Sequence, residues 1–538
     1  MPLAGGEAEP LTDAPEGVRS FKFSPKGDRL AYTTSAPVDP QAKKRKEKGF
    51  DAKDVGKNHR HTLLMVLDLT TEDKPVQVTP IDRTAVDFEW SPDGKELAVL
   101  VAPSPGSDDT MMRLELTRFP AGGGNGITLA DKMGKMTHLR WSPNGKTIAW
   151  LGAGKPNDGT NGTVWLVPAK GGTPTAVNAG AEETAYGLEW DRDKLLVSAV
   201  TGTHSHLSRR TASGKQEMLI ENGPVFLGFS VDKKRKHIAL SGNTSKHPSE
   251  VFSGRLGGTL ERRTHHNVWL KDVDLGVQSS IEWTAMDGTV IGGVLIRPVG
   301  GKGGAPLVCY VHGGPEWQDL DGWTTRYLGA AQVLAGKGYA VLMPNYRGSA
   351  GRGTAFAAGD HNDLGGKEFD DILAGIENLS KAGTIDKNRV GMIGASYGGF
   401  MSALAATKGS PHFKAAINLA GIANWLSFTG TSDIPYEMSE VHWNQWCYDK
   451  PAACRKGSPL TYLDRANTPL MVVHGEQDKR VPIGQAWELY TAFKVRNLPV
   501  ELVLYPRAGH GLHERNHQID FMNRTIAWFD RYLKAGSS

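Results

Sequence analysis

The chain has 538 residues, with 62 Lys and Arg against 58 Asp and Glu and a formal charge of +4. So small a charge leaves no electrostatic footprint for nucleic acid, and no run of about 18 apolar residues exists to cross a membrane as a helix. Three cysteines are too few for a disulfide framework, while the length suffices for two large cores.

Residues 1–17 are a Gly/Pro/acidic leader with no helix or strand pattern, and poor order is expected there. Repetition begins at Val18. Phe23-Ser24-Pro25-Lys26-Gly27-Asp28, Trp90-Ser91-Pro92-Asp93-Gly94-Lys95 and Trp141-Ser142-Pro143-Asn144-Gly145-Lys146 are one unit written three times, with degenerate copies at Trp190-Asp191-Arg192-Asp193 and Phe229-Ser230-Val231-Asp232. Each copy reads as a strand end, a tight turn and a second strand. A period of about 40–50 residues with several short strands per unit predicts a β-propeller over 18–270, with about five recognisable blade units. The basic runs Lys43-Lys44-Arg45-Lys46-Glu47-Lys48 and Lys233-Lys234-Arg235-Lys236 fall in or beside predicted turns and read as solvated loops, the first inside an insertion. His59 with His61, and His265-His266, lack the Cys or acidic company that zinc wants, so no metal is expected.

From residue 271 strand and helix patterns alternate, which predicts an α/β domain over 271–538. Leu307-Val308-Cys309-Tyr310-Val311 reads as a buried strand that runs into His312-Gly313-Gly314-Pro315. Val390-Gly391-Met392-Ile393 leads into Gly394-Ala395-Ser396-Tyr397-Gly398 and then a helical pattern, the context of a nucleophile elbow. A strand at Pro469–Val473 precedes Asp478, and one at Val500–Leu504 precedes His510. Ser, then Asp, then His is the order of an α/β-hydrolase with a mostly parallel, doubly wound sheet. Ser396 is the expected nucleophile, His510 its general base and Asp478 the group that orients the imidazole. The N–H groups of Gly314 and Tyr397 are the expected oxyanion hole. His513 and His517 read as surface residues at a helix entry, and Glu476 as the weaker candidate for the acid. No cofactor is implied, because His510 alone activates the nucleophile.

These motifs, with Pro344-Asn345-Tyr346-Arg347-Gly348-Ser349 and Ser458-Pro459-Leu460, make the region from about Ile281 to Leu533 resemble the catalytic domain of the prolyl oligopeptidase family of serine peptidases. It is most similar to the acylaminoacyl-peptidase and dipeptidyl-peptidase branches. That resemblance implies an apolar specificity pocket built from Tyr397, Ile422, Trp425, Phe428 and Val481. It places Arg480 where dipeptidyl peptidases tend to carry a substrate-binding amide, so that its guanidinium could grip a substrate carbonyl or carboxylate or else be a solvated rim charge. Propellers of the family usually have about seven blades, so two are expected to be diverged or lacking. Dipeptidyl peptidases anchor a free ammonium on acid, and Glu182-Glu183 is the one adjacent glutamate pair in the propeller, without that motif's aromatic framing.

The implied activity is hydrolysis of short peptides near the amino end through an acyl-enzyme. A carboxylesterase acting on small acyl substrates with the same triad is the alternative, and a non-catalytic, protein-binding propeller is the third reading. The expected partner is a short peptide or small acyl compound, with no nucleic acid, no membrane and a homo-oligomer open. Lack of a recognisable signal peptide points to the cytoplasm, or to a secreted or periplasmic protein if a leader has been removed. Cys447 and Cys454 could bridge in an oxidising compartment, and Cys309 reads as a small core residue.

Overall fold

In the computed structural model, residues 5, 7–56, 59–301, 303–326 and 328–534 are described. Part of the expected leader, residues 1–4 and 6, lies outside them, and the described remainder up to Gly17 contains no helix or strand. Five four-stranded antiparallel sheets then follow in sequence, each built from consecutive strands. They span Ser20–Gln77, Thr84–Ala130, Met136–Ala176, Thr184–Ile220 and Phe229–Arg262. Apart from Thr163 the first three sheets belong to one compact unit, and apart from Lys194 the last two share the other with everything that follows.

The repeated motif is a turn with its own latch. In the second unit, Ser91 Oγ accepts from the N–H of Glu96 at 2.9 Å and donates to Asp93 at 2.7 Å. Ser142 does the same with Thr147 and Asn144, and Ser24 with Arg29 and Asp28. Gly27, Gly94 and Gly145 all sit at φ near +70°, a left-handed position that glycine takes without strain. In the fifth unit Asp232 replaces the serine, its Oδ1 accepting from the N–H groups of Lys236 and His237. The insertion in the first unit differs from the expected loop. Pro40–Glu47 is a helix capped by Asp39, whose side chain accepts from the N–H of Gln41, and none of its residues is buried. Its basic run is solvated, as expected, but on a helix.

An eight-stranded mixed sheet follows, whose strands we number β1 (Gln278–Thr284), β2 (Val290–Ile296), β3 (Ala305–Val311), β4 (Ala340–Asn345), β5 (Ile385–Ala395), β6 (Ala415–Leu419), β7 (Leu470–Gly475) and β8 (Val500–Tyr505). Their order is β1-β2-β4-β3-β5-β6-β7-β8, antiparallel over the first three and parallel thereafter. The parallel strands read as near-continuous apolar runs because both faces are covered. Met471 and Val473 pack on one face with Phe521, Trp528 and Phe529 of the helix Arg515–Leu533. Leu470 and Val472 point to the other, with Ala403 and Ala406 of Tyr397–Ala406 and Leu489 and Phe493 of Gly484–Lys494. Register aligns the carboxyl ends: Val311 lies beside Gly394, Ala395 beside Leu419, Leu419 beside Val473 and Gly475 beside Tyr505. The residues just past β3, β5, β7 and β8 therefore emerge along one edge, where a parallel sheet presents its site.

Candidate active site

Ser396 is the first residue past β5, at φ +60° and ψ −119°. A serine there is strained, and the strain lifts its Oγ out of the chain path between strand and helix. The turn is tight enough that a Cβ on Gly398 would lie 2.0 Å from Val311 O and 2.9 Å from His312 O. Backbone cannot yield to that methyl. Gly398→Ala is therefore expected to cost about 1–3 kcal/mol and to displace Ser396, which denaturant midpoints and labelling with a serine-reactive phosphonate would record.

His510 Nε2 lies 3.0 Å from Ser396 Oγ, and its Nδ1 lies 2.8 Å from Asp478 Oδ2. Asp478 is fixed from three further directions. Its Oδ1 accepts from the N–H groups of Arg480 at 2.9 Å and Val481 at 3.0 Å. Behind it, the fully buried His474 of β7 places Nε2 3.4 Å from Oδ2 and 2.8 Å from Val481 O. Burial raises the Asp478 carboxyl pKa, but the hydrogen bonds with His474 and His510 outweigh it and hold the group well below the usual carboxylate range. Glu476 is exposed and lies outside this set, as does the exposed His513, while His517 sits 3.6 Å from Glu514.

The loop after β3 lies directly against the elbow. A Cβ on Gly313 would lie 2.8 Å from Ala395 O and 3.2 Å from Ser396 Cβ. His312 sets the loop's orientation. Burial pushes its pKa down to about 4, so the ring is neutral. One tautomer satisfies its surroundings: Nδ1–H donates to Gly313 O at 2.8 Å, and Nε2 accepts from Ser349 Oγ at 3.0 Å. A trans peptide is planar, so holding the Gly313 carbonyl turns the Gly314 N–H to the opposite side. The Tyr397 N–H is the first of its helix and has no intrahelical acceptor.

The stretch after β4 supports this loop. Tyr346 stacks on His312 at 4.5 Å and donates to His312 O at 2.9 Å, while the Asn345 side chain bonds both N–H and C=O of Asp319. The Arg347 guanidinium makes two bonds to the buried Asp371, at 2.7 and 2.8 Å, and its backbone N–H a third at 3.0 Å.

The expected pocket residues are buried. Trp425 packs edge-on against Phe400 at 5.1 Å and Phe428 at 5.4 Å, and tilted against Tyr397 at 6.3 Å. Trp443, which no motif marked, completes the cluster at 5.6 Å. Tyr397 turns its hydroxyl inward, donating to Glu368 at 2.9 Å. Ile422 and Val481 are also buried, and Val481 serves Asp478 through its backbone. Arg480 is a third exposed, its Nε bonded to Asp433 at 2.7 Å. Glu183 is committed elsewhere: Arg210 grips both its oxygens at 2.6 and 2.7 Å, with His206 at 3.2 Å. Glu182 beside it is exposed.

Residues 325–536 match the prolyl oligopeptidase family. The chain is 34% identical over 312 residues to the uncharacterized peptidase YuxL of Bacillus subtilis (strain 168), covering 57% of this chain and 47% of that protein. It thus spans about half that relative's length. It is 26% identical over 465 residues to dipeptidyl-peptidase 5 of Porphyromonas gingivalis, covering 83% and 67%. To the acylamino-acid-releasing enzyme of Mus musculus it is 30% identical over 264 residues, 48% of this chain and 35% of that one. Among solved structures, the acylaminoacyl peptidase of Pyrococcus horikoshii superposes with a TM-score of 0.78 at 22% identity, over 96% of this chain and 82% of that one. The fold shared with it is a β-propeller followed by an α/β-hydrolase domain.

Proposed function

From the match of residues 325–536 to the prolyl oligopeptidase family, we propose that the protein is a serine peptidase of that family acting near the amino end of short peptides. The observation that carries the proposal is the contact chain Ser396–His510–Asp478, at 3.0 and 2.8 Å, beside a glycine loop with a free-standing amide at the head of the elbow helix. His510 takes the Ser396 proton as Oγ attacks the scissile carbonyl, and returns it to the leaving amine. Asp478 steadies the imidazolium. The N–H groups of Gly314 and Tyr397 receive the oxyanion, each worth about 2.7–4 kcal/mol of barrier. Water then attacks the acyl-enzyme by the same proton route. We assign 18–270 to the propeller and 271–538 to the catalytic domain.

Glu183 favours substrates whose amino end carries no free charge. Its carboxylate is neutralised by Arg210, leaving it no charge to offer an ammonium. Arg480 supports recognition of a substrate carbonyl, because Asp433 fixes its Nε and the guanidinium remains partly exposed. Trp425 and Phe428 form the floor of an apolar site. The bond between Cys447 and Cys454 supports an oxidising compartment over the cytoplasm.

The test is a kinetic panel with one leaving group on four carriers: a free-amine dipeptide, an N-acetylated amino acid, an amino-blocked dipeptide and a simple acyl ester, with Ser396→Ala as control. The blocked peptidyl carriers are expected to turn over fastest, and the control to turn over none. Ester turnover alone would overturn the peptidase reading in favour of a carboxylesterase.

A further inference from the structure

We propose that Asp360, His361 and His442 form a binding site for a zinc-class divalent cation, with Glu316 and Glu437 holding His442 from behind. One donor atom from each of the three lies within 4.8 Å of the other two. Tetrahedral coordination with bonds of about 2.0–2.1 Å sets donors about 3.3 Å apart, so small side-chain movements close the site.

Unmet polar capacity points to the ligand. Asp360 is completely buried, yet neither of its carboxylate oxygens has a hydrogen-bond partner. His361 Nε2 and His442 Nδ1 are likewise buried atoms without one, and His442 as a residue is 1% exposed. A carboxylate in that state costs several kcal/mol unless something cationic meets it. A proton would satisfy one pair of these atoms. A divalent cation takes lone pairs from all three and neutralises the carboxylate.

The other side of His442 has the arrangement that metal-bound imidazoles show. Its Nε2 lies 3.1 Å from Glu316 Oε1 and 3.3 Å from Glu437 Oε1, so Nε2–H donates to carboxylate and Nδ1 is directed to the opposite side as a lone pair. A carboxylate behind a ligating histidine fixes its tautomer and raises its basicity. Two imidazole nitrogens with one carboxylate oxygen suit zinc better than calcium or magnesium, which prefer all-oxygen shells. The fourth position falls to water, and the partly exposed His361 supplies an entry path.

The ligands come from two chain segments already joined by the bond from Asn362 N–H to His442 O at 2.9 Å. Trp443, next to His442, packs on Trp425. The ion therefore ties the segment that carries His442 and Trp443 to the segment that carries Asp360 and His361. This inference stands apart from the peptidase proposal, since its readouts need no substrate.

Full-length protein is stripped with a chelator, dialysed and titrated with Zn2+ by calorimetry, with metal content read by mass spectrometry and thermal midpoint by calorimetric scan. The expected result is one Zn2+ per chain and a raised midpoint. Asp360→Asn and His361→Gln should each weaken binding at least tenfold, whereas His265→Gln, on an exposed histidine of the propeller, should bind as the wild type does. If Asp360→Asn fails to fold, the partly exposed His361→Gln carries the comparison. Failure of the wild type to take up Zn2+ stoichiometrically, or uptake unchanged in both ligand variants, would overturn the proposal.

Discussion

Ser396→Ala is expected to lower kcat/KM by a factor on the order of 10^6, and Asp478→Asn to lower kcat about 10^4-fold. The two losses have different origins. The first removes the attacking oxygen. The second leaves the ring of His510 in place but offers it an amide N–H where a carboxylate oxygen stood at 2.8 Å. Nδ1 then accepts instead of donating, the proton moves to Nε2, and the ring presents a donor to Ser396 Oγ. Because Oδ1 is held by the N–H groups of Arg480 and Val481, the asparagine oxygen stays on that side and its amide faces His510. Single-turnover assays with a peptidyl anilide would check both losses, and retained phosphonate labelling in neither variant would support them together.

Asp478→Asn also has a pH signature. The folded carboxyl is held below its unfolded value near 4, because bonds with His474 and His510 exceed the opposing effect of burial. Its stabilisation is therefore complete above the unfolded value and disappears as pH falls through the folded one. Glu183 behaves the same way: burial raises its pKa, but His206 and Arg210 bring it down to about 2. The wild-type thermal midpoint should drop as pH falls below about 4, and the drop should be shallower in Asp478→Asn.

Arg347→Leu is expected to cost about 3–5 kcal/mol of stability, the largest loss from any single change considered. Asp371 is fully buried and takes three bonds from Arg347, two from the guanidinium and one from its N–H at 3.0 Å. Asp287 closes the other side of the guanidinium at 2.8 Å. Without the cation, Asp371 remains as an unpaired charge in an apolar setting. The double change Arg347→Leu with Asp371→Leu should recover most of the loss, since replacing a whole buried pair by apolar groups is close to neutral. Denaturant midpoints of the two variants decide it. A single variant no less stable than the double would mean that Asp371 finds other donors.

The elbow, the order of its three residues and the repeated turns were legible because each is local: a glycine pattern, a strand end, a Ser-Pro-x-Gly turn. What supports them was not. His474 lies within an apolar strand and reads as an interruption until its ring is seen behind Asp478. His312 stands in a motif noted for its glycines, yet its ring decides which way a peptide plane faces. Asp360, His361 and His442 carry no spacing signal, because tertiary folding brings them together. The helix at Pro40–Glu47 did leave a signal, an Asp-Pro start that caps and presets the first turn, but its uniform polarity hid the period.

The turns of the propeller also bear on how such a domain ages. Four of the five are closed by an acceptor within their own hairpin, serine in three units and aspartate in the fifth. A lineage can therefore swap one acceptor for the other without altering neighbouring hairpins. Damage to one latch frays one hairpin, and drift accumulates unit by unit. Letter-based counts of the repeat will fall short wherever the chemistry has been kept and the spelling has changed.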